Sequence, residues 1–393
     1  MFATSIMSRH SVRKFAAALC TGALLALATG GSAMAQGGRP DQVFLVGSTR
    51  QETGVITENS LSNVLLSKDG KERRLEASRV ERIIWGAVSA PYREGMAYFD
   101  RGDFENAAAK FGLAATEDER DVIKADARKL GGMALLKLGV NDASQFNLAL
   151  DQFNQFLKDY PNSRLVPEVR ALQARATLLR GDEGDVAAAG ALYRSLFEAG
   201  SGATPTEGYS ALGSYEAGLQ GIRALTQAGE TLGAREISGV LASGISTLLA
   251  TAEEGSILKI KLTALSAEVQ LAEGFVLLAA NQARQAETFF KSQLQSSEGG
   301  PAGLRYGSML GLGQAYLAQD KFREASVEFA TVASIDYTDR DRSARALLLL
   351  AETMTKLGDS DGVSQARKRL NVIIKTFGDT PSAAAAKKAL AAL

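Results

Sequence analysis

Residues 41–85 alternate apolar and polar positions. The runs "DQVFLVGS", "GVITEN", "NVLLSK", "KERRLEA" and "VERIIW" are short and rich in Val, Ile and Leu, as expected of strands with one buried face. Asp69-Gly70 falls between the third and fourth runs and suits a two-residue hairpin turn, because glycine tolerates positive φ. Five strands in this span predict a small, closed or nearly closed β-barrel-like module over residues 41–86. Trp85 ends the last strand, either as a core or domain-junction aromatic or as a binding residue. From Pro91 onward the period becomes helical. Prolines at 40, 91, 161, 167, 205, 301 and 381 fall at expected helix starts or between helices, where a missing N–H costs least. Helix pairs are expected near 91–117, 120–159, 163–199, 206–252, 255–296, 301–335 and 340–377, with a last helix at 382–392.

Within the helical part a pattern recurs. Gly95, Tyr98, Ala107, Phe111 and Ala114 stand at offsets 0, +3, +12, +16 and +19, as do Gly313, Tyr316, Ala325, Phe329 and Val332. Gly274, Leu277, Ala286 and Phe290 repeat the first four offsets, and Ala149, Phe153, Phe156 and Pro161 repeat the later half. These positions resemble the tetratricopeptide repeat, a helix–turn–helix unit of 34 residues. Small residues let two helices cross closely and rings fill the space beside them, and one pair alone cannot bury that face, so units must stack. The resemblance implies a right-handed α-solenoid of about seven helix pairs over residues 91–393. Three units are clear, near 91–117, 271–296 and 306–335; residues 201–256 match least. The N-terminal strands resemble SH3-like and Sm-like barrels. "FLKDYPNSRLVPEVRALQA" (156–174) and "IIKTFGDTPSAAAAKKAL" (373–390) resemble envelope-assembly repeat proteins of Gram-negative bacteria, the group of the Tol-Pal cell-division coordinator and the outer-membrane assembly lipoprotein. In the family the first helices of the pairs form a groove for a protein or peptide. Carried over, the groove positions are Tyr92, Met96 and Phe99 near one end and Leu310, Gln314 and Leu317 near the other, a mostly apolar set suited to an amphipathic helix or an apolar extended segment.

The first 35 residues belong to a different signal. Arg9, Arg13 and Lys14 precede the apolar run "FAAALCTGALLALA" and the small-x-small site Ala33-Met34-Ala35, which reads as a secretory signal peptide cut after Ala35. The run is short for a bilayer span. Met7 is an alternative start, and Leu19 directly before Cys20 argues against lipidation of that cysteine. The expected mature chain carries no transmembrane segment. Removing the leader also removes His10 and Cys20, the chain's one histidine and one cysteine. The mature protein then has no imidazole base, no thiolate and no zinc site of the His/Cys type.

Composition narrows the function. The chain is 46% hydrophobic and 22% charged, hence globular, and Lys plus Arg equals Asp plus Glu at 44 each, which gives no reason to expect a nucleic-acid partner. No GxxxxGK phosphate loop is present, and "GLGQAY" (311–316) lacks the last glycine of a dinucleotide fingerprint. "DSDG" (359–362) fails as a calcium loop at its first and twelfth positions and reads as a capped turn. "SILK" (256–259) has Ser-x-x-Lys spacing without the companion motifs of penicillin-binding enzymes and reads as a helix start. Asp182 and Asp185 read as solvated caps, "KERR" (71–74) and "ARKR" (366–369) as solvated faces. No cofactor or metal is expected. The sequence predicts a non-catalytic scaffold or adaptor of the periplasm, with a homo-oligomer open. The alternatives are a structural spacer whose β-module makes the contact and a carboxylate-only cell-wall hydrolase, which needs two converging acids that no spacing supplies.

Overall fold

The computed structural model describes residues 39–45, 50–202, 204–378 and 380–393; the leader, with His10 and Cys20, lies outside them. The strands form where the alternation places them: β1 (Asp41–Leu45), β2 (Gln51–Asn59), β3 (Asn63–Lys68), β4 (Lys71–Glu76) and, after a 3-10 turn, β5 (Val80–Ile84). They make one antiparallel sheet of order β4-β3-β2-β1-β5, a meander whose last strand returns beside the first. Asp69 and Gly70 both take positive φ, 51° and 73°, as the hairpin requires. Val43, Leu45, Ile56, Val64, Leu66, Leu75 and Val80 point to one side and form the module's core.

Seven helix pairs follow: α1 (Ala90–Asp100) and α2 (Phe104–Glu117); α3 (Asp121–Leu138) and α4 (Ser144–Asp159); α5 (Val166–Arg180) and α6 (Asp185–Ser201); α7 (Ala211–Gln227) and α8 (Thr231–Thr251); α9 (Ile257–Ala279) and α10 (Ala283–Ser296); α11 (Ala302–Leu317) and α12 (Phe322–Ile335); α13 (Arg340–Leu357) and α14 (Gly362–Thr376). A last helix, α15 (Pro381–Ala392), ends the row. Local chemistry sets the boundaries. Ser89, Asp103, Ser210, Ser256 and Asp339 cap helix starts by accepting a backbone N–H, and Gly181 and Gly358 end α5 and α13 in the left-handed region.

The recurring glycines and rings meet as the offsets imply. A Cβ on Gly95 would lie 2.7 Å from the Phe111 ring, and one on Gly313 2.6 Å from the Phe329 ring. Gly274 faces Phe290 in the same way. Each of these phenylalanines is fully buried. Gly132 of α3 makes the same contact with Phe153 of α4, a fourth instance that the fixed offsets miss. The ring stands 21 positions on rather than 16, because the turn is two residues longer and Gly132 and Phe153 stand one and two residues farther from it along their helices than Gly95 and Phe111 do. Residues 201–256 diverge for a physical reason: the ring, Tyr215, stands on the first helix and the small residue, Gly244, on the second. The rings also reach the next unit, since a Cβ on Gly311 of α11 would run into Phe290 of α10.

The row returns on itself. Lys387 Nζ of α15 donates to the carbonyl of Val140, 2.6 Å away, and to Asn141 Oδ1 at 3.3 Å. Val140, in the α3–α4 turn, packs into the core cluster of α13, α14 and α15. The last helices therefore close against the second pair.

A Gly132→Ala substitution tests the wedge. Alanine favours a helix by about 1 kcal/mol, but overpacking against the immobile Phe153 costs roughly 1–3 kcal/mol. We expect a lower urea midpoint at unchanged slope. An equal or higher midpoint means the contact does not constrain the pair.

Candidate functional site

The six expected groove residues fall into two separate clusters. Tyr92, Met96 and Phe99 follow one another along α1 and pack over Phe111 and Ile123. Phe99 meets Phe104 and Phe111 edge-on, at 5.3 and 6.3 Å between ring centroids. Tyr92 is buried, and its hydroxyl donates to Asp126 Oδ2 at 2.6 Å. Leu310 is buried beside Phe329, Ala346 and Leu350, with Leu317 against the same cluster. Gln314 is half-buried; it accepts a hydrogen bond from Arg345 at 3.0 Å and donates to the Leu310 carbonyl. Tyr92 and Leu310 are thus core positions, closed over by the neighbouring first helices α3 and α13. Met96, Phe99, Gln314 and Leu317 keep part of their surface.

The main concavity lies elsewhere. It is open to solvent, has a volume of about 1070 Å³ and is lined by α3, α5, α7 and α9 and by the starts of α11 and α13. These are first helices of six pairs, and the wall carries ion pairs among apolar side chains such as Leu219, Ile260 and Leu265. Arg223 of α7 pairs with Glu268 of α9 at 2.9 Å. Arg342 of α13 reaches the same carboxylate at 2.8 Å, Asp336 at 2.6 Å and Asp339 at 3.4 Å. Burial alone would lower the Arg342 guanidinium's pKa, but the Asp336 hydrogen bond and the Glu268 and Asp336 charges outweigh it and raise it. Arg223, Glu268 and Arg342 stand on three different helices with no common spacing. Each reads in sequence as one charge on a solvated face, so no sequence signal groups them.

A second polar cluster welds the β-module to the helices. Asp41, buried in β1, accepts from the backbone N–H of Ile56 and of Gly86, both at 2.8 Å, and from both terminal nitrogens of Arg120. Arg120 N-caps α3 and also donates to the Ile56 carbonyl at 2.9 Å. Trp85 is a junction residue: its Nε1–H donates to Asp126 Oδ2 at 3.0 Å, and the Arg120 guanidinium lies 5.5 Å from its ring centre. Asp126 also receives Lys129 at 3.2 Å, which reaches Glu168 of α5 at the same distance. Burial opposes the Asp126 charge, yet Lys129, Tyr92 and Trp85 together hold its carboxyl below the ordinary range. Burial likewise opposes the Lys129 charge, and Asp126 with Glu168 overcomes it, so the amine's pKa is raised. Arg164 extends the weld to Asn59 Oδ1 at 2.9 Å.

The remaining motifs resolve into structure. Ser256 caps α9 while Lys259 pairs with Glu254, so "SILK" is a helix start. Residues 359–361 lie in the α13–α14 turn and Gly362 opens α14. Asp185 departs from the solvated cap expected: it is buried and held by Arg180, whose hydrogen bond lowers its pKa. Among the described residues no group of three or more His, Cys, Asp or Glu is placed to hold a metal. One described helix, α9, is long and apolar enough to cross a membrane by length and composition; here it packs against α7, α8, α10 and α11.

A family model described as Tetratricopeptide repeat matches residues 133–163. The match covers the end of α3 and all of α4. No curated protein matches the chain.

Trp85 is the chain's one tryptophan, so its emission reports on the weld. Asp126→Asn leaves Lys129 with a weaker partner, and breaking a buried pair costs roughly 3–5 kcal/mol. We expect a red-shifted Trp85 emission and a lower urea midpoint. The pH dependence follows from the lowered Asp126 pKa. Its stabilisation is complete above the ordinary carboxylate value of about 3.9 and is lost as pH falls through its own lower value. Wild type should therefore lose stability steeply below about pH 4, and the Asp126→Asn protein less steeply. Equal acid profiles would show that Asp126 does not carry this dependence.

Proposed function

We propose that this tetratricopeptide-repeat chain is a non-catalytic protein-interaction scaffold of the bacterial cell envelope, exported by its N-terminal leader, with a protein or peptide partner held in the concave interior. The observation that carries the reading is the interior itself, walled by the first helices of six pairs. The repeat supports a role in protein interaction generally. The leader-like residues 9–35 and the resemblance of residues 156–174 and 373–390 to envelope-assembly repeat proteins support the compartment.

One observation favours the second reading, in which the β-module makes the contact. β4 and β5 are the outer strands of the sheet order and offer backbone for strand addition. Deleting residues 41–86 would not separate the two readings, because it would strip Asp126, Arg120 and Arg164 of their partners Trp85, Asp41 and Asn59.

Site-specific photo-cross-linking in cells separates them. A photoreactive residue at Glu216, exposed on the interior wall, is compared with one at Glu72, exposed on β4. A reproducible envelope protein captured from position 216 and not from 72 is the expected result. Capture from 72 alone moves the function to the β-module. Capture of only a second copy of the chain from either position overturns the partner-in-the-groove reading.

A further inference from the structure

We infer that the outer face of α14 rests on an anionic lipid bilayer, its exposed Arg and Lys side chains meeting phosphodiester headgroups. The lining of the concave interior includes no residue of α14, so the inference stands apart from what that interior holds.

Charge is unevenly placed along the chain. Lys plus Arg equals Asp plus Glu at 44 each overall, but residues 362–393 carry six Lys and Arg against one Asp. Neither α14 nor α15 contains an acidic residue. Helical geometry gathers the α14 cations on one side. At about 100° per residue, Ser364, Arg367, Lys368, Asn371 and Lys375 fall within about 100° of arc, and all five are exposed. Opposite them, Ala366, Leu370 and Ile373 are buried. The run "ARKR" is therefore not one uniform solvated face. Ala366 is in the core, Arg369 donates to Gln365, and Arg367 and Lys368 are exposed. Arg367, Lys368 and Lys375, and Lys388 of α15, make no ion pair among the described residues. Asp359 and Asp361 lie in the α13–α14 turn, at one end of the helix. The helix dipole accounts for Lys375 in the last turn, but Arg367 and Lys368 stand mid-helix.

Cations of one sign on one face repel each other, and a surface dense in anions relieves that repulsion. A bilayer matches this face better than other polyanions do. Arg367 to Lys375 spans about 12 Å of helix, and a plane of headgroups meets all three cations at once. The exposed sector of α14 has no aromatic ring on which the bases of a single-stranded nucleic acid would stack. Val363 and Val372 flank the cations and are 47% and 46% exposed, placed to enter the boundary between headgroups and acyl chains.

The test is co-sedimentation with lipid vesicles of the chain without residues 1–35, since the leader would bind membranes by itself. Vesicles of phosphatidylcholine with about one-third phosphatidylglycerol are compared with phosphatidylcholine alone. We expect binding to the anionic vesicles to be about tenfold or more tighter and to weaken as salt rises. A cation near an anionic surface contributes about fivefold in affinity. Arg367→Gln, Lys368→Gln and Lys375→Gln together should therefore weaken binding about a hundredfold. The three side chains are exposed, and an unchanged urea midpoint shows that the triple variant folds. Arg235→Gln, Lys291→Gln and Lys356→Gln remove the same net charge from cations that carboxylates already hold. That control should stay within about threefold of wild type. No preference for the anionic vesicles, wild-type binding by the triple variant, or an equal loss in the control overturns the inference. So does tighter binding of a DNA duplex at equal phosphate concentration, which would make the face a general polyanion site. Photo-cross-linking from position 216 reads the interior and not this face, so failure of the lipid contact and failure of the partner reading are seen separately.

Discussion

A phenylalanine ring set against a glycine determines how far two helices of a pair can approach, and the rest of the row follows from that distance. Without a Cβ at Gly95, Gly132, Gly274 or Gly313 the ring of the second helix lies directly on the backbone of the first. The same ring then reaches the next first helix, as Phe290 reaches Gly311. First helices are therefore drawn together on one side while bulk accumulates on the other. Present in four of the seven pairs, this small asymmetry curves the row, until Lys387 meets the α3–α4 turn. Closure converts an open groove into a walled interior.

The β-module is held by a different force. Its own core is apolar and small, and its attachment to the helices is ionic and buried. A buried ion pair gains little over apolar packing, but removing one member leaves the other desolvated and unpaired. The cluster around Asp41, Arg120, Asp126 and Lys129 thus fixes one docking geometry and penalises every other. Through Asp126 and Arg120 the sheet is joined to α1 and α3.

Much of this is legible in the sequence because it is periodic. Alternation over 41–85 gives five strands, and the helical period with its prolines gives seven pairs and a final helix. Three of the Gly–Phe wedges follow from fixed offsets. The fourth does not, because a longer turn and contact positions farther along both helices separate Phe153 from Gly132 in sequence, and the swap of Tyr215 and Gly244 hides the middle unit. Contacts between distant residues leave no periodic trace. Asp41 and Arg120 are 79 positions apart, and Lys387 and Val140 are 247 apart. The burial of two of the carried-over groove positions is hidden for the same reason. Tyr92 and Leu310 have the right offsets within a unit, but the next helix covers them. The wall's ion pairs are built from single charges on helices that only the curvature brings together.

The walled interior depends on closure, and closure is directly measurable. Spin labels at Ala143→Cys and Lys388→Cys, both exposed, in a Cys20→Ser background, leave the Lys387 contact in place and give the distance across it by pulsed electron resonance. The account predicts a single narrow distribution at the short limit of the method. A broad distribution at long distance would mean that the row stays open, that the two ends do not meet, and that the concave face is a groove without a far wall.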